Sequence, residues 1–199
     1  TLGPVQANNN GEMGINSVLH GAYDGLTLFA GVEANDNLAG NGIQNYVNVT
    51  DGDAMVVVAY TETSRNALHG VGITAFGTDG VEAGALNVTA NSNTVMGLSA
   101  TLISAYGPVD SGWFGMTANH NGLGGGYVLA NAEEHVGLIV SGSTANFNAN
   151  GFGFDVHLTS LDSHVYTRFG EGAMASSGLP PSIEALFPDG PVEAKGNRL

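Results

Sequence analysis

The chain has no cysteine, only four lysine and arginine residues together, and no apolar stretch long enough to span a bilayer as a helix. The first absence excludes a disulfide framework and thiolate chemistry. The second bears on partners, because holding a phosphate backbone requires clustered cations that displace counterions. With 18 acidic residues against four basic ones the formal charge is −14, so nucleic acid is excluded and an anionic membrane surface repels the chain. The third absence excludes a transmembrane helix, which needs about 20 apolar residues. A transmembrane barrel needs aromatic girdles at its strand ends, and these are missing as well. Charged residues amount to 11%, far below the roughly 25% of ordinary soluble domains. The polar surface must therefore be Asn, Ser, Thr and backbone, a composition that leans towards an extracellular or cell-surface setting.

Helical periodicity is also nearly absent: with 31 glycines and many Asn and Thr, only Pro181 to Phe187 offers a helical turn. What remains is alternation. Asn150-Gly151 is a strong hairpin signal, since both residues tolerate positive φ. A hairpin there sets Phe147 opposite Phe154 and Ala145 opposite Val156. A second reversal at Ser160 to Ser163 then sets Phe169 beside Phe154 and Val165 beside Leu158. Upstream, reversals at Asp79-Gly80 and Asn91-Ser92-Asn93 align Val71 with Val88 and Met96, and Ile73 with Leu86 and Leu98.

At 199 residues with 43% apolar content, the chain suits one domain with a closed core. The expected fold is all-β, an antiparallel, meander-rich β-sandwich or flattened β-barrel with extended arms at both ends. Residues 1–24 read as an N-terminal arm, 25–170 as the β domain and 171–199 as a C-terminal arm. No strict repeat is visible, which disfavours a regular solenoid.

Sites are few. In the expected meander, Asp155 lies opposite Arg168 with His157 and Tyr166 in the next row, forming a polar cluster on one sheet face. That quartet reads as a cross-strand ion pair with polar neighbours rather than as acid/base machinery. For a metal, Glu133, Glu134 and His135 come nearest to a zinc spacing without matching one. Calcium suits the oxygen-rich turns better, with Asp51 and Asp53 as ligands in one turn and Asp36, beside Asn35 and Asn37, in another, against the alternative of Asx-rich turns that hold no metal. Asn48-Val49-Thr50 and Asn87-Val88-Thr89 are glycosylation sequons. Gly122 to Gly126 lacks the strand-to-helix setting of a phosphate loop and reads as a connector. No nucleophile motif such as G-x-S-x-G is present, so no enzymatic activity is expected.

The sequence supports a structural role best, as an extracellular subunit of a filament, sheath, surface layer or capsid. Other copies of the chain are the expected partners, met through the terminal arms and through strand edges that almost no lysine protects. The alternative is a small-molecule- or glycan-binding β-barrel or lectin-like module.

Overall fold

The computed structural model describes residues 5–145, 148–149, 153–161, 164–169, 172–177 and 182–187. After a two-residue strand β1 (Val5–Gln6), the chain alternates between two sheets. The back sheet receives β2 (Ile15–Gly21), and the front sheet receives β3 (Gly25–Ala30) and β4 (Val32–Glu33). The next turns follow as β5 (Ile43–Val49) and β6 (Asp53–Glu62), β7 (Val71–Gly77) and β8 (Gly80–Thr89), then β9 (Met96–Ser104) and β10 (Val109–Phe114). Two more are β11 (Gly124–Ala132) with β12 (His135–Ser141), and β13 (Phe154–Ser160) with β14 (His164–Phe169). In each of these pairs the first strand lies in the back sheet and the second in the front sheet. Finally β15 (Gly172–Ser177) joins the front sheet beside β14 and β16 (Ser182–Phe187) joins the back sheet beside β13.

Every pairing among β1 to β14 is parallel. Only β15 against β14 and β16 against β13 run antiparallel. The architecture is therefore a two-sheet β-solenoid, a flattened coil that rises by about 4.8 Å per turn, and neither an antiparallel sandwich nor a flattened barrel. The reversal at Asp79-Gly80 does not fold β8 back beside β7. It sends the chain across the core to the other sheet, so Val71 pairs with Leu98 and Ile73 with Ala100 in parallel register. The hairpin turn at Asn150-Gly151, the residues Phe147, Asp162 and Ser163, and most of the C-terminal stretch lie outside the described residues. Of the expected helical turn, 182–187 is strand β16. Within the stretch read as an N-terminal arm, β1 and β2 already belong to the two sheets.

A repeat does exist, although it is not strict. Ala7-Asn8-Asn9-Asn10 returns as Ala34-Asn35-Asp36-Asn37, Thr63-Ser64-Arg65-Asn66, Ala90-Asn91-Ser92-Asn93 and Ala118-Asn119-His120-Asn121. Each copy forms the long corner of one turn of the coil. The third residue of each, from Asn9 to His120, adopts a left-handed φ of 58 or 59°. That backbone aims the fourth residue, always Asn, along the coil axis. The N–H and Nδ2 of Asn10 both donate to Asn37 Oδ1, at 3.1 and 2.9 Å. The same pair of bonds links Asn37 to Asn66, Asn66 to Asn93 and Asn93 to Asn121. Asn121 N–H continues the ladder to Asn148 Oδ1 at 2.7 Å. The bonded asparagines lie 27 to 29 residues apart, which is the length of one turn.

A second ladder runs the other way from the second position of the motif. Asn35 N–H donates to Asn8 Oδ1, Ser64 N–H to Asn35 Oδ1, Asn91 N–H to Ser64 Oγ and Asn119 N–H to Asn91 Oδ1. Buried amides left without partners would each cost about 1–3 kcal/mol, so ladders of this kind specify the stacking as well as stabilising it.

Between the sheets the core is stacked by like position. One column of the back sheet reads Val47, Ala75, Leu102, Ala130, Leu158, all buried and in register. Alternating large and small side chains let successive layers interdigitate. The largest core residue, Trp113, packs on Phe154 with ring centroids 6.0 Å apart. The space for that contact is the missing side chain of Gly126, where a Cβ would come within 2.7 Å of both rings. The glycine-rich Gly122 to Gly126 segment thus opens a core strand, and the seat it leaves is filled by aromatic rings.

Candidate functional site

The coil presents two outer faces, a long and a short corner, and two ends, and the expected polar quartet is divided between the faces. Asp155 and His157 point outward from β13 on the back sheet, whereas Tyr166 and Arg168 point outward from β14 on the front sheet. The core separates them because consecutive strands occupy opposite sheets. On the back face, Asp155 Oδ1 and His157 Nε2 are 3.0 Å apart. The Tyr127 ring lies 5.6 Å from that imidazole. Partial burial, with the Asp155 charge as a lesser cause, raises the Tyr127 phenol above its ordinary pKa.

On the front face Tyr166 finds a different carboxylate. Its hydroxyl donates to Asp110 Oδ1 at 2.5 Å, and it reaches β10 by lying across the intervening β12 at Gly137, where a Cβ would overlap the phenol ring. His135 stacks on Tyr166 with centroids 5.9 Å apart and sits 3.3 Å from Asp110 Oδ2. Burial first, and then the hydrogen bond and charge of Asp110, push the Tyr166 phenol up to about 12. Both Asp110 oxygens are engaged and the phenol stays protonated at neutral pH. Chemically this is a clamp across three strands. Glu82 flanks it, in register with Asp110 on β8.

The acidic residues expected to bind calcium do not converge. Asp36 occupies the left-handed position of the long corner, and Arg65, one turn along, donates to both its oxygens at 2.7 Å. Those bonds hold the Asp36 carboxyl below its usual pKa. Asp51 and Asp53 sit at the short corner instead, where Asp53 N–H donates to Asp24 Oδ1 at 3.0 Å. Glu133 and Glu134 form another short corner just before His135. Among the described residues no group of three or more His, Asp and Glu side chains is arranged to hold a metal ion.

The ends differ from each other more than the faces do. At the first turn, Ile15, Leu19 and Phe29 point inward yet are only half-buried, while Ile43 and Val47, one turn on, are fully buried. Among the described residues no strand pairs with the outer side of β2 or of β3. The opposite end carries the antiparallel β15 and β16. Reasoning from sequence missed both the asparagine ladder and the Asp110 partner of Tyr166. The ladder had a signal, the recurrent Asn two residues after Asn or Ser, whereas the clamp had none until the parallel register was known.

Comparison of the chain with known families, curated proteins and solved structures finds no match.

Proposed function

We propose that this protein is a structural subunit that assembles with other copies of itself by adding turn to turn at its open end, in an extracellular or cell-surface setting. The observation that carries this reading is the first turn of the coil. Among the described residues it has the long-corner motif, two strands with no partner on their outer edges and a core left half-open. An open edge of that kind is a template for another strand, and half-buried Ile15, Leu19 and Phe29 add a hydrophobic gain to the backbone bonds. The low share of charged residues supports the extracellular setting, and the scarcity of lysine leaves the edges without the usual electrostatic guard.

Sedimentation velocity and negative-stain imaging test it. Particles should lengthen with concentration. Ser17→Lys, which points a charge out of the open core end, should leave a folded 20.2 kDa monomer. A wild-type chain that stays monomeric at every concentration contradicts the proposal.

A further inference from the structure

The front sheet's outer face carries an apolar patch on β3, β6, β8 and β10 that is partly self-complementary. Leu28 on β3, Val57 on β6, Gly84 on β8 and Gly112 on β10 form one row across four strands. Its first two members project, with Leu28 61% exposed; Gly84 is open above, whereas the Phe114 ring leans back over Gly112. Beside Gly84 lies a depression of about 360 Å³, lined by Val57, Phe114 and Ile139 and, on its polar side, by Glu82, Asp110 and Tyr166. The neighbouring row has the reverse pattern: Ala30 and Ala59 are small, whereas Leu86 and Phe114 are large and 38% and 42% exposed.

We infer that two copies pack front face to front face about a twofold axis that runs along the strands between β6 and β8. That operation lays Val57 of each copy over Gly84 of the other, and Leu28 over the Phe114 ring that covers Gly112. In the adjacent row it lays Ala30 over Phe114 and Ala59 over Leu86. Knobs meet holes at the two central positions, Val57 on Gly84 and Leu86 on Ala59, as an isologous interface requires. In the row nearest the short corner the same operation lays Leu26 over Asp110 and Met55 over Glu82, with the carboxylates at the rim. A single-turn slip in either direction would set Val57 on Val57 or Gly84 on Gly84, so the register is specified.

The area sets the strength. Four strands at about 4.8 Å and six residues at about 3.3 Å cover roughly 400 Å² per partner. That lies below the usual range of stable interfaces, about 1,200–2,000 Å² in total, so the dimer is reversible and weak. It would join end-stacked coils side by side. The inference deepens the assembly reading and rests on it.

Sedimentation equilibrium in the Ser17→Lys background, where end stacking is blocked, tests face pairing alone. A reversible dimer should appear towards high micromolar concentration. Gly84→Val should weaken it at least tenfold by setting valine against Val57; it should still fold, because a Cβ at Gly84 meets only the Gly112 carbonyl oxygen at 4.0 Å. Val57→Gly should weaken it similarly, and combining the two exchanges knob for hole and should restore the dimer. Leu28→Asp gives the same loss without altering the central strands. A monomer throughout, or a dimer indifferent to Gly84→Val, overturns the inference and leaves end stacking untouched. A monomer whose front-face amide resonances shift on adding soluble oligosaccharides overturns it too, and gives the depression to a glycan.

Discussion

At the long corner the chain is turned by what its side chains bond, and at the short corner by side chains that are missing. Asn37, Asn66, Asn93 and Asn121 are at most 1% exposed, and each bonds the next along the axis. The short corners stack through bare backbone. A Cβ on Gly107 would overlap the Asp79 carbonyl oxygen of the turn before, and one on Gly77 would overlap that of Gly80. Their remaining residues, such as Asp51 and Asp53, are exposed and acidic. The same reversal is thus specified by polar pairing on one side and by close approach on the other, and only the first leaves a periodic signature in the residues.

The contrast can be broken most strongly at Asn93. Asn93→Leu removes the acceptor for Asn66 N–H and Asn66 Nδ2, which are buried with no alternative, and should cost about 3–5 kcal/mol in chemical denaturation, counting two stranded donors. Asp51→Ala, at the exposed short corner, should stay within about 0.5 kcal/mol. Gly107→Ala comes next: forcing successive short corners apart should cost about 1–3 kcal/mol. Were it neutral, backbone contact would not be what holds that corner.

A smaller effect of opposite sign is expected at a bend that lies at or near the end of five front strands. There Gly31, Tyr60, Asn87, Gly115 and Gly142 all take positive φ. Tyr60, 62% exposed, bears left-handed strain with little packing in return. Tyr60→Gly should therefore stabilise by about 0.5–1 kcal/mol in thermal melts, the strain relief exceeding the entropy cost of glycine.

The smallest effect concerns the exposed Asp36–Arg65 pair. Its folded carboxyl pKa is depressed, so any stability it adds is present above the unfolded value of about 4. That stability is lost as pH falls through the lower folded value. In Arg65→Ala the Asp36 titration, followed by NMR, should return to the ordinary carboxylate range.

The inward and outward faces of individual strands were legible in the sequence, but their pairing and direction were not. Alternation in Val71 to Phe76 and in Val156 to Leu158 marks which side chains face the core, and the reversals at Asp79-Gly80 and at Asn91 to Asn93 are real corners. What alternation could not reveal is the direction of the turn. Gly and Asp reverse a chain equally well within a sheet or across a core, so hairpin and coil predict the same buried face. The repeat escaped notice because chemistry and not identity is kept: Ser64 Oγ accepts where Asn8 and Asn35 use Oδ1, and Thr63 stands where the other copies have alanine. Tyr166 lies on an outer face, but not the one that carries Asp155 and His157, beside which the expected meander set it. Its partner was not foreseen, because Asp110 shares that row only when β10, β12 and β14 are stacked in parallel.

The central claim, that the first turn is completed by a neighbouring copy, is tested most directly by hydrogen exchange of the β2 amides across a concentration series. Protection of β2 should rise towards that of β5 in step with particle growth, and Ser17→Lys should abolish the rise. Protection of β2 that stays at an edge-strand level while the particles enlarge would contradict the claim.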